Sequence, residues 1–522
     1  MTLNTSSKFL FYLLPIIPLV IVLSIYTYNF PFYDDYNTIL DFLNEYVDAK
    51  GINQKASLIF SRHNEHYITS NKIITLFCFL IFKTINFQVL TIIGNIFFVT
   101  IWLLIIKSQK LSLLLSLACG FIFLNYTNWD NILWSMASLQ NFGVVCLLCF
   151  TIWLFERNNH FLAFVLGSLT IFSSGNGFLV LPILLFLSIF KSEKKKWGVA
   201  MAIGLIVVVS FMNYQHSSAI NNFLDQRITF SLIIAILKYF FSFIGALLSI
   251  PSYPILSVLY GLTLTFFLTF DLFNQKSRLR GIGLFILLTA ALVTIGRFTD
   301  GPTGATISRY RVYSSLASIL VLISFNDLLK SHVKKYHLII LLFGAIAFNS
   351  YTFYKLNFRL KQSYDMRISD NVLWNFQKPP FGHPFKDFAL ETMRSSYSRG
   401  IFKPKKNINI SYPSTFKTTN LELEKPILHL DITPIARDSL ILSGFAYLRD
   451  KPNTNNQVQL GNGDRNFGTI FTRRYNLALT KDIRYQDSGF FRLLSKKELQ
   501  YLKFVFLKTN NKVYAVPIKL SK

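Results

Sequence analysis

The sequence predicts an α-helical polytopic membrane protein that ends in an all-β domain outside the cytoplasm. Three observations predict this fold class. The chain of 522 residues is 52% hydrophobic and only 15% charged, which is too apolar for a soluble protein of this length. Apolar runs long enough to span a bilayer recur up to residue 354. After residue 415 they are replaced by short alternating runs that are typical of β-strands.

The apolar runs predict about eleven crossings of the membrane. The first run, 9–28, is followed by no small-residue cleavage site and is therefore predicted to be a retained anchor. Two runs are predicted not to span: 71–86 as an amphipathic helix on the outer surface, and 230–249 as a re-entrant or interfacial segment. The predicted spans are 9–28, 89–106, 111–124, 138–155, 161–173, 178–190, 197–212, 255–273, 282–296, 314–329 and 338–354.

Much of the net charge of +27 lies in short basic tracts between the apolar runs. By the positive-inside rule these tracts are cytoplasmic loops, so nucleic acid is not a predicted partner. Because successive spans cross the membrane in alternating directions, several polar segments are placed on the side opposite the basic tracts. They include 29–72, 125–137, 297–313 and everything after Tyr354. The basic tracts are KSQK 107–110, KSEKKK 191–196, NQKSRLR 274–280 and KSHVKK 330–335.

The chain divides into three predicted parts. Residues 1–354 form the transmembrane domain, in which 29–88 is the first extracytoplasmic loop with its surface helix. Residues 355–414 form an irregular connector, and 415–522 form a small β-sandwich. The strand signals of this last part are ILHLDI 427–432, LILSGFAYL 440–448, QVQL 457–460, LKFVFLK 502–508 and VYAVPI 513–518.

Two adjacent carboxylates, Asp34 and Asp35, lie a few residues beyond the first predicted span. Such a pair at a membrane exit has two explanations. It is either a solvated helix end, or a general base beside a group that contacts a metal or the substrate. The position of the pair does not decide between these explanations.

A second polar cluster precedes the surface helix and contains Arg62, His63, Glu65 and His66. The histidines are spaced i, i+3, which predicts that they share one face of a helix. Their spacing matches neither common zinc-protease motif, and a zinc site would need a third ligand from elsewhere. The cluster is therefore expected either to hydrogen-bond a lipid headgroup at the interface or to orient a substrate.

Two further outer segments combine polar side chains with tryptophan or glycine. NWDNILWS 128–135 places Asp130 and Asn131 between tryptophans, which either anchor the chain at the membrane interface or offer aromatic faces to a sugar ring. SSGNGF 173–178 contains Asn176 and predicts a tight hairpin whose backbone amides can approach an anion. Both segments are candidate substrate contacts.

The outer loop 296–313 returns to the membrane with Arg309 and Arg311 at the start of the next predicted span. An arginine so near the hydrocarbon is costly unless it snorkels to lipid headgroups or pairs with an anion. Phosphate is the anion that fits best, because the guanidinium fork binds two of its oxygens. Snorkelling to ordinary headgroups is the alternative.

In their order along the chain, these motifs resemble a group of bacterial multi-pass proteins in the GT-C class of glycosyltransferases. Proteins of that group typically contain D-D, N-E-H-R, E-N-x-x-W, G-x-G and S-R-Y. The resemblance covers most of 1–354, with two departures: Tyr67 stands in place of the usual arginine, and Asp130 in place of a glutamate. The motifs of this chain are DDY 34–36, NEHY 64–67, NWDNILWS 128–135, SSGNGF 173–178, GR 296–297 and SRY 308–310.

The resemblance implies transfer of a sugar from a polyprenyl-phosphate carrier on the outer side of the membrane. One of Asp34 and Asp35 is expected to be the general base that deprotonates an acceptor hydroxyl, and the other to position the acceptor or a metal. Glu65 and His66 are expected to orient the sugar or the base. Arg297 and Arg309 are expected to bind the carrier phosphate. The other expected substrate-binding residues are Arg62, His63, Asp130, Asn131, Asn176 and Tyr310.

The expected partners are a polyprenyl-phosphate-linked sugar, a glycan, lipid or protein acceptor, and membrane lipid. No cofactor is certain, and a divalent Mg²⁺ or Mn²⁺ ion is left open. The expected location is the bacterial inner membrane, with the C-terminal domain in the periplasm. A transporter or flippase of lipid-linked saccharides is the main alternative, and a polymerase or ligase is another. Polar residues in mid-span would favour a transporter, whereas here they concentrate at one face.

Overall fold

The chain forms two compact units, which differ in their secondary structure. The helical unit comprises Met1–Thr27, Glu45–Ile81 and Val89–Asn357, and the mixed unit comprises Tyr28–Asn44, Phe82–Gln88 and Phe358–Lys522. A computed structural model describes residues 10–64, 66–189, 192–210, 229–250, 253–273, 279–329, 332–406, 408, 410, 412–415, 417–418, 422, 426–436, 439–448, 457–472, 489–509 and 512–518.

The helical unit consists of helices joined by short turns. Its apolar runs form helices because a helix satisfies the backbone hydrogen bonds within one segment, away from water. A short β-hairpin, 62–67, precedes the helix that begins at Thr69. The main helices are Ile16–Tyr26, Ile52–Ile59, Thr69–Phe82, Phe87–Gln109, Leu113–Phe123, Gly143–Glu156, His160–Ile171, Val180–Ile189, Ser192–Ser210, Phe230–Ile244, Pro254–Phe273, Arg280–Arg297 and Arg311–Leu328.

Five helices among the described residues are long and apolar enough to cross a membrane, and five shorter apolar helices accompany them. The mainly helical fold with a C-terminal β region is therefore confirmed. The number of about eleven crossings stays a prediction. The long helices are Phe87–Gln109, Ser135–Glu156, Pro254–Phe273, Arg280–Ala305 and Lys335–Asn375, and the shorter ones are Ile16–Tyr26, Thr69–Phe82, His160–Ile171, Gly177–Ile189 and Phe230–Ile244.

Two helices of this unit, Phe230–Ile244 and Pro254–Phe273, meet with their backbones in direct contact. A Cβ atom on Gly261 would overlap the carbonyl oxygen of Phe241, and one on Gly245 would overlap backbone atoms of the other helix. Glycine is therefore the residue that allows this close approach, as small residues do where helices pack without a hydrophobic driving force.

We expect Gly261→Val to disrupt this helix pair, because the overlapping atom belongs to the backbone and cannot rotate away. Overpacking of this kind lowers the free energy of unfolding by about 1 to 3 kcal/mol. The measurement is thermal unfolding of the purified protein in detergent. Gly344→Val is the matched control, because a Cβ on Gly344 meets no atom within 4 Å. Equal unfolding temperatures for the two variants would contradict the close approach.

The C-terminal part of the mixed unit is a sandwich of two four-stranded antiparallel sheets. Leucine, valine and phenylalanine side chains from both sheets fill the space between them, among them Leu442, Leu460, Phe490 and Leu507. The alternating runs of the sequence place these residues on the inward faces. In spatial order, the strands of the first sheet are Lys512–Pro517, Phe504–Thr509, Gln457–Gly461 and Asn466–Gly468, and those of the second are Ile427–Ala436, Ser439–Tyr447, Gly489–Ser495 and Ile470–Thr472.

Among the described residues, the strands at the edges of these sheets include short or irregular ones. Asn466–Gly468 has three residues. The longest outer strand, Ile427–Ala436, contains Pro434, and its register shifts between Pro434 and Ala436. Lys512–Pro517, at the other end of the first sheet, ends in a proline, and the carbonyl oxygen of its Val513 accepts the backbone N–H of Glu422 over 2.8 Å. Proline removes a backbone donor, so it weakens pairing at an exposed edge.

The segment predicted as an irregular connector is largely helical. Helix Lys335–Asn375 has 41 residues, about 60 Å at 1.5 Å per residue, and its polar second half lies in the mixed unit. A second helix, Lys386–Ser398, follows. Ile368 and Val372, one helical turn apart, pack with apolar residues of the β-sandwich. This apolar stripe explains why 358–375 continues the helix instead of forming an irregular linker.

Candidate functional site

The segment predicted to carry two histidines on one helical face is a β-hairpin instead. His63 lies directly across from His66, and Arg62 across from Tyr67. Asn64 in the turn has a φ of +51°, a left-handed conformation that asparagine tolerates and that an α-helix excludes. The predicted helical face is therefore wrong. The guanidinium of Arg62 lies 5.6 Å from the centre of the Tyr67 ring, so the hairpin is closed by a cation–π contact.

The hairpin packs against the glycine-containing turn 173–178. A Cβ atom on Gly175 would overlap Nδ1 of His66, so the imidazole lies directly against this glycine. In the same turn, the side-chain amide of Asn176 donates a hydrogen bond of 2.8 Å to the hydroxyl of Tyr313. The structure thus brings His66 beside the turn, whereas Asn176 uses its amide within the protein.

The SRY turn and the NWDN segment, which are far apart in sequence, are joined by hydrogen bonds. The hydroxyl of Ser308 donates to the carbonyl oxygen of Thr127 over 2.9 Å and accepts the backbone N–H of Asp130 over 3.1 Å. The side-chain amide of Asn131 donates to the carbonyl oxygen of Arg309 over 3.0 Å. Three of the predicted substrate-binding residues, Asp130, Asn131 and Arg309, therefore belong to one cluster.

Arg309 is held in this cluster by its backbone and by an aromatic ring. Its guanidinium carbon lies 5.6 Å from the centre of the Trp134 ring, and the residue is half-buried. Within the described part of the chain, no carboxylate forms an ion pair with this guanidinium. A half-buried cation without a carboxylate partner is suited to bind an anion that comes from outside the chain.

Arg311 has a different environment, although it is only two residues away. Residues Ser308–Tyr310 form a 3₁₀ turn, and Arg311 is the first residue of helix Arg311–Leu328. Its Nε donates to the carbonyl oxygen of Thr306 over 2.9 Å. Burial lowers the pKa of Arg311, and the carboxylate of Asp130 acts in the opposite direction. Arg311 therefore has partners inside the protein, and its structural role differs from that of Arg309.

The other two predicted residues of this loop have separate surroundings. The ring of Tyr310 packs against Phe243, with 5.2 Å between the ring centres. Arg297 is exposed at the C-terminal end of helix Arg280–Arg297, where a positive charge complements the helix dipole. Both residues have a structural explanation that does not require a substrate.

The adjacent carboxylates Asp34 and Asp35 belong to the mixed unit and are not equivalent. Asp35 is 1% exposed, and its Oδ2 accepts the backbone N–H of Phe32 over 3.0 Å. It closes a tight turn in which Tyr33 has a φ of +51°. Asp34 is half-buried, and the hydrogen bonds from Thr38 go to its backbone carbonyl oxygen. Because Asp34 is the more exposed of the two, its carboxylate is the better candidate for a general base.

A buried group of charged residues in the mixed unit was not predicted from the sequence. Asp370 accepts the backbone N–H groups of Phe381 over 2.7 Å and of Gly382 over 3.2 Å. One helical turn before it, the guanidinium of Arg367 lies 4.6 Å from the centre of the Phe32 ring. Both charged residues are 3% exposed. They fix the segment 381–383 and the turn before Asp34 against the same helix.

His383 lies beside the turn that carries the two carboxylates. Its ring centre is 5.1 Å from that of Tyr36, and its Nδ1 is 2.9 Å from the carbonyl oxygen of Phe385. Burial lowers the pKa of His383, while the Phe385 carbonyl and the carboxylate of Asp34 act in the opposite direction. The imidazole is therefore oriented by the backbone and lies within electrostatic range of Asp34.

The hydroxyl of Tyr36 is buried between these groups and has no hydrogen-bond partner among the described residues. Burial raises the pKa of Tyr36 well above its usual value, and the carboxylates of Asp370 and Asp35 raise it further. The phenol therefore keeps its proton. It is a hydrogen-bond donor that no described residue uses.

The sequence contains one signal that points to this group. Arg367 and Asp370 are spaced i, i+3 on a stretch that also carries Ile368 and Val372, so the charges accompany an apolar helical face. Charged residues on such a face are buried only if they have partners, which makes them candidates for a structural or functional role. The prediction of an irregular connector hid this pattern.

Metal binding has no support from the described residues. No group of three or more His, Cys, Asp or Glu side chains that could hold a metal occurs among them. Glu65, which was predicted to orient the sugar or the base, lies outside the described residues. The Mg²⁺ or Mn²⁺ ion left open by the sequence stays a prediction, and no chemical step is derived from it.

The chain was compared with models of protein families, with curated proteins and with solved structures. The resemblance to the GT-C class depends on short motifs, and the activity it implies depends on the chemistry of the side chains described above. None of the three comparisons finds a match.

Proposed function

We propose that this chain is a membrane-embedded glycosyltransferase that takes a sugar from a polyprenyl-phosphate carrier and transfers it to a glycan, lipid or protein acceptor. The observation that carries the proposal is the environment of Arg309. Its guanidinium is half-buried over Trp134, and no carboxylate of the described residues pairs with it. A planar guanidinium in this state favours a phosphate, which it can bind through two parallel hydrogen bonds.

The phosphate is proposed to belong to a lipid carrier because the chain has the character of a membrane protein. Five helices among its described residues are long and apolar enough to cross a bilayer. A polyprenyl chain stays in the lipid, so a protein that binds its phosphate must present a cation near the membrane surface. Arg309 fits this requirement, because it lies just before an apolar helix, Arg311–Leu328.

In this proposal, Arg309 stabilises the negative charge that grows on the carrier phosphate as the bond to the sugar breaks. An interaction that is stronger in the transition state than in the ground state lowers the barrier to transfer. The half-buried carboxylate of Asp130, next to Asn131 in the same cluster, offers a hydrogen-bond acceptor to the hydroxyl groups of the sugar.

The general base is proposed to be Asp34. It would accept the proton of the acceptor hydroxyl as that oxygen attacks the sugar carbon. His383 is proposed to position and stabilise the Asp34 carboxylate, and Asp35 to hold the turn through Phe32. This assignment divides the predicted roles of the two carboxylates, which the sequence left open.

The proposal is tested by supplying membranes that contain the protein with a sugar-labelled polyprenyl-phosphate donor. We expect polyprenyl phosphate to be released and the labelled sugar to be found on the acceptor instead of on the carrier. Membranes from cells without the gene are the control. Movement of intact donor across the membrane without cleavage would instead favour the transporter, and joining of preassembled saccharide chains would favour the polymerase or ligase.

The bacterial inner membrane is the proposed location, with the C-terminal region in the periplasm. The four basic tracts all fall on one predicted side of the membrane, opposite the C-terminal region, and this supports the topology. We expect a periplasm-dependent reporter fused after Lys522 to be active and a cytoplasm-dependent one to be inactive. A fusion after Lys110, in a tract expected to be cytoplasmic, is the matched control and should give the opposite pattern. Activity of the cytoplasmic reporter at Lys522 would reject the topology.

A further inference from the structure

A second polar site lies in the helical unit, away from the SRY cluster. A cavity of about 320 Å³ opens where two helices end, Phe87–Gln109 and Gly143–Glu156. This volume is within the range of small-ligand sites. Its polar lining consists of Lys107, Ser108, Lys110, Trp153, Glu156 and Arg157.

The cavity has an excess of positive charge. Its one lining carboxylate, Glu156, already faces Lys194 at 3.8 Å, and the same ammonium donates to the carbonyl oxygen of Phe155 over 2.8 Å. No carboxylate of the described residues pairs with the three lining cations, which are Lys107, Lys110 and Arg157. The two helix C-termini contribute about −0.5 each, so a net charge of about +2 remains.

A buried hydrogen-bond donor in the lining also lacks an acceptor. The indole Nε1 of Trp153 is buried, and no described residue accepts its hydrogen bond. The guanidinium of Arg157 lies 4.3 Å from the centre of the same indole ring. A buried donor without a partner is unfavourable, so an acceptor from outside the chain would stabilise it. Excess cations and an unused N–H together select an anionic oxygen.

We propose that this cavity binds the phosphate of an anionic membrane lipid at the cytoplasmic face. Lys107 and Lys110 belong to the basic tract 107–110, which the positive-inside rule places on that face. Anionic lipids are attracted there by juxtamembrane lysine and arginine. The inference depends on the proposed membrane location but not on sugar transfer.

The test is native mass spectrometry of the full chain, purified in detergent without any sugar donor. Phosphatidylglycerol and phosphatidylcholine are added in equal amounts, and the lipid retained per protein is counted. We expect preferential retention of one phosphatidylglycerol. Trp153→Phe keeps the ring and removes only the N–H donor, so retention should weaken by about threefold to tenfold, the factor for one hydrogen bond.

The combined variant Lys107→Gln, Lys110→Gln, Arg157→Gln should lose the preference for phosphatidylglycerol. The matched control is Lys334→Gln with Lys335→Gln, which removes exposed charges from another basic tract and should keep the preference. Equal retention by the triple variant and this control would overturn the proposal. Displacement of the lipid by the same concentration of inorganic phosphate would also overturn it, because the site would then bind free phosphate. Failure here leaves the sugar-transfer assay unaffected.

Discussion

Replacing Asp34 by asparagine is expected to abolish sugar transfer while the protein stays folded and keeps its affinity for the lipid-linked donor. Asparagine has nearly the same shape, but its amide does not accept the proton of an attacking hydroxyl. Loss of a positioned general base lowers the rate by about a hundredfold to ten-thousandfold. The measurement is the rate of transfer from a labelled polyprenyl-phosphate donor, at matched protein amounts, together with donor binding.

Asp35→Asn is the matched control, because the two carboxylates are adjacent but differ in surroundings. Asp35 is buried and binds the backbone N–H of Phe32, so its replacement weakens a charge-assisted hydrogen bond in the turn. We expect a lower thermal unfolding temperature for this variant and an unchanged one for Asp34→Asn. Near-normal transfer by Asp34→Asn would show that Asp34 is only a solvated residue after the first helix.

The second large effect is expected for Arg309→Lys. Lysine keeps the charge and snorkels as arginine does, so the substitution should be almost silent if Arg309 only reaches lipid headgroups. If the guanidinium binds the carrier phosphate through two hydrogen bonds, lysine replaces the fork by a single point charge. Loss of that transition-state contact corresponds to about 2 to 4 kcal/mol, or about thirtyfold to a thousandfold in rate.

Arg311→Lys separates this loss from a general disturbance of the loop. The Nε of Arg311 donates to the carbonyl oxygen of Thr306, a bond that lysine cannot reproduce in the same geometry. We therefore expect this variant to lower the unfolding temperature more than Arg309→Lys does, and to lower the transfer rate per folded protein less. Equal transfer rates for the two folded variants would reject Arg309 as the phosphate ligand.

The sequence identified the polar segments of the helical unit better than it identified their conformation. Asp130, Asn131 and Arg309 were selected from separate motifs, and hydrogen bonds join them in one cluster. The predicted helical face of His63 and His66 failed because spacing alone does not reveal a left-handed residue in a turn. The polar residue types of each motif were informative about which segments meet, whereas residue spacing was uninformative where the conformation of one turn residue decides the local structure.

The group around Asp370 and His383 was missed for a different reason. Short stretches rich in proline and glycine indicate irregular structure, and 379–384 is such a stretch. Its order comes from buried partners such as Asp370, which accepts two of its backbone N–H groups. The i, i+3 spacing of Arg367 and Asp370 indicates a helical face, but it does not show which backbone groups Asp370 binds, and only the folded arrangement reveals that partner.

The irregular outer strands of the β-sandwich limit how this domain can meet other chains. An extended peptide binds a sheet edge by adding one more strand, which requires a run of free backbone donors and acceptors. The described outer strands offer the three-residue segment Asn466–Gly468 and a strand interrupted at Pro434, while in Lys512–Pro517 the carbonyl oxygen of Val513 already accepts the backbone N–H of Glu422. Pairing of another chain along these described edges is disfavoured for the same reason. At these edges, a protein acceptor would therefore be recognised through its side chains or its attached groups, and not through its backbone.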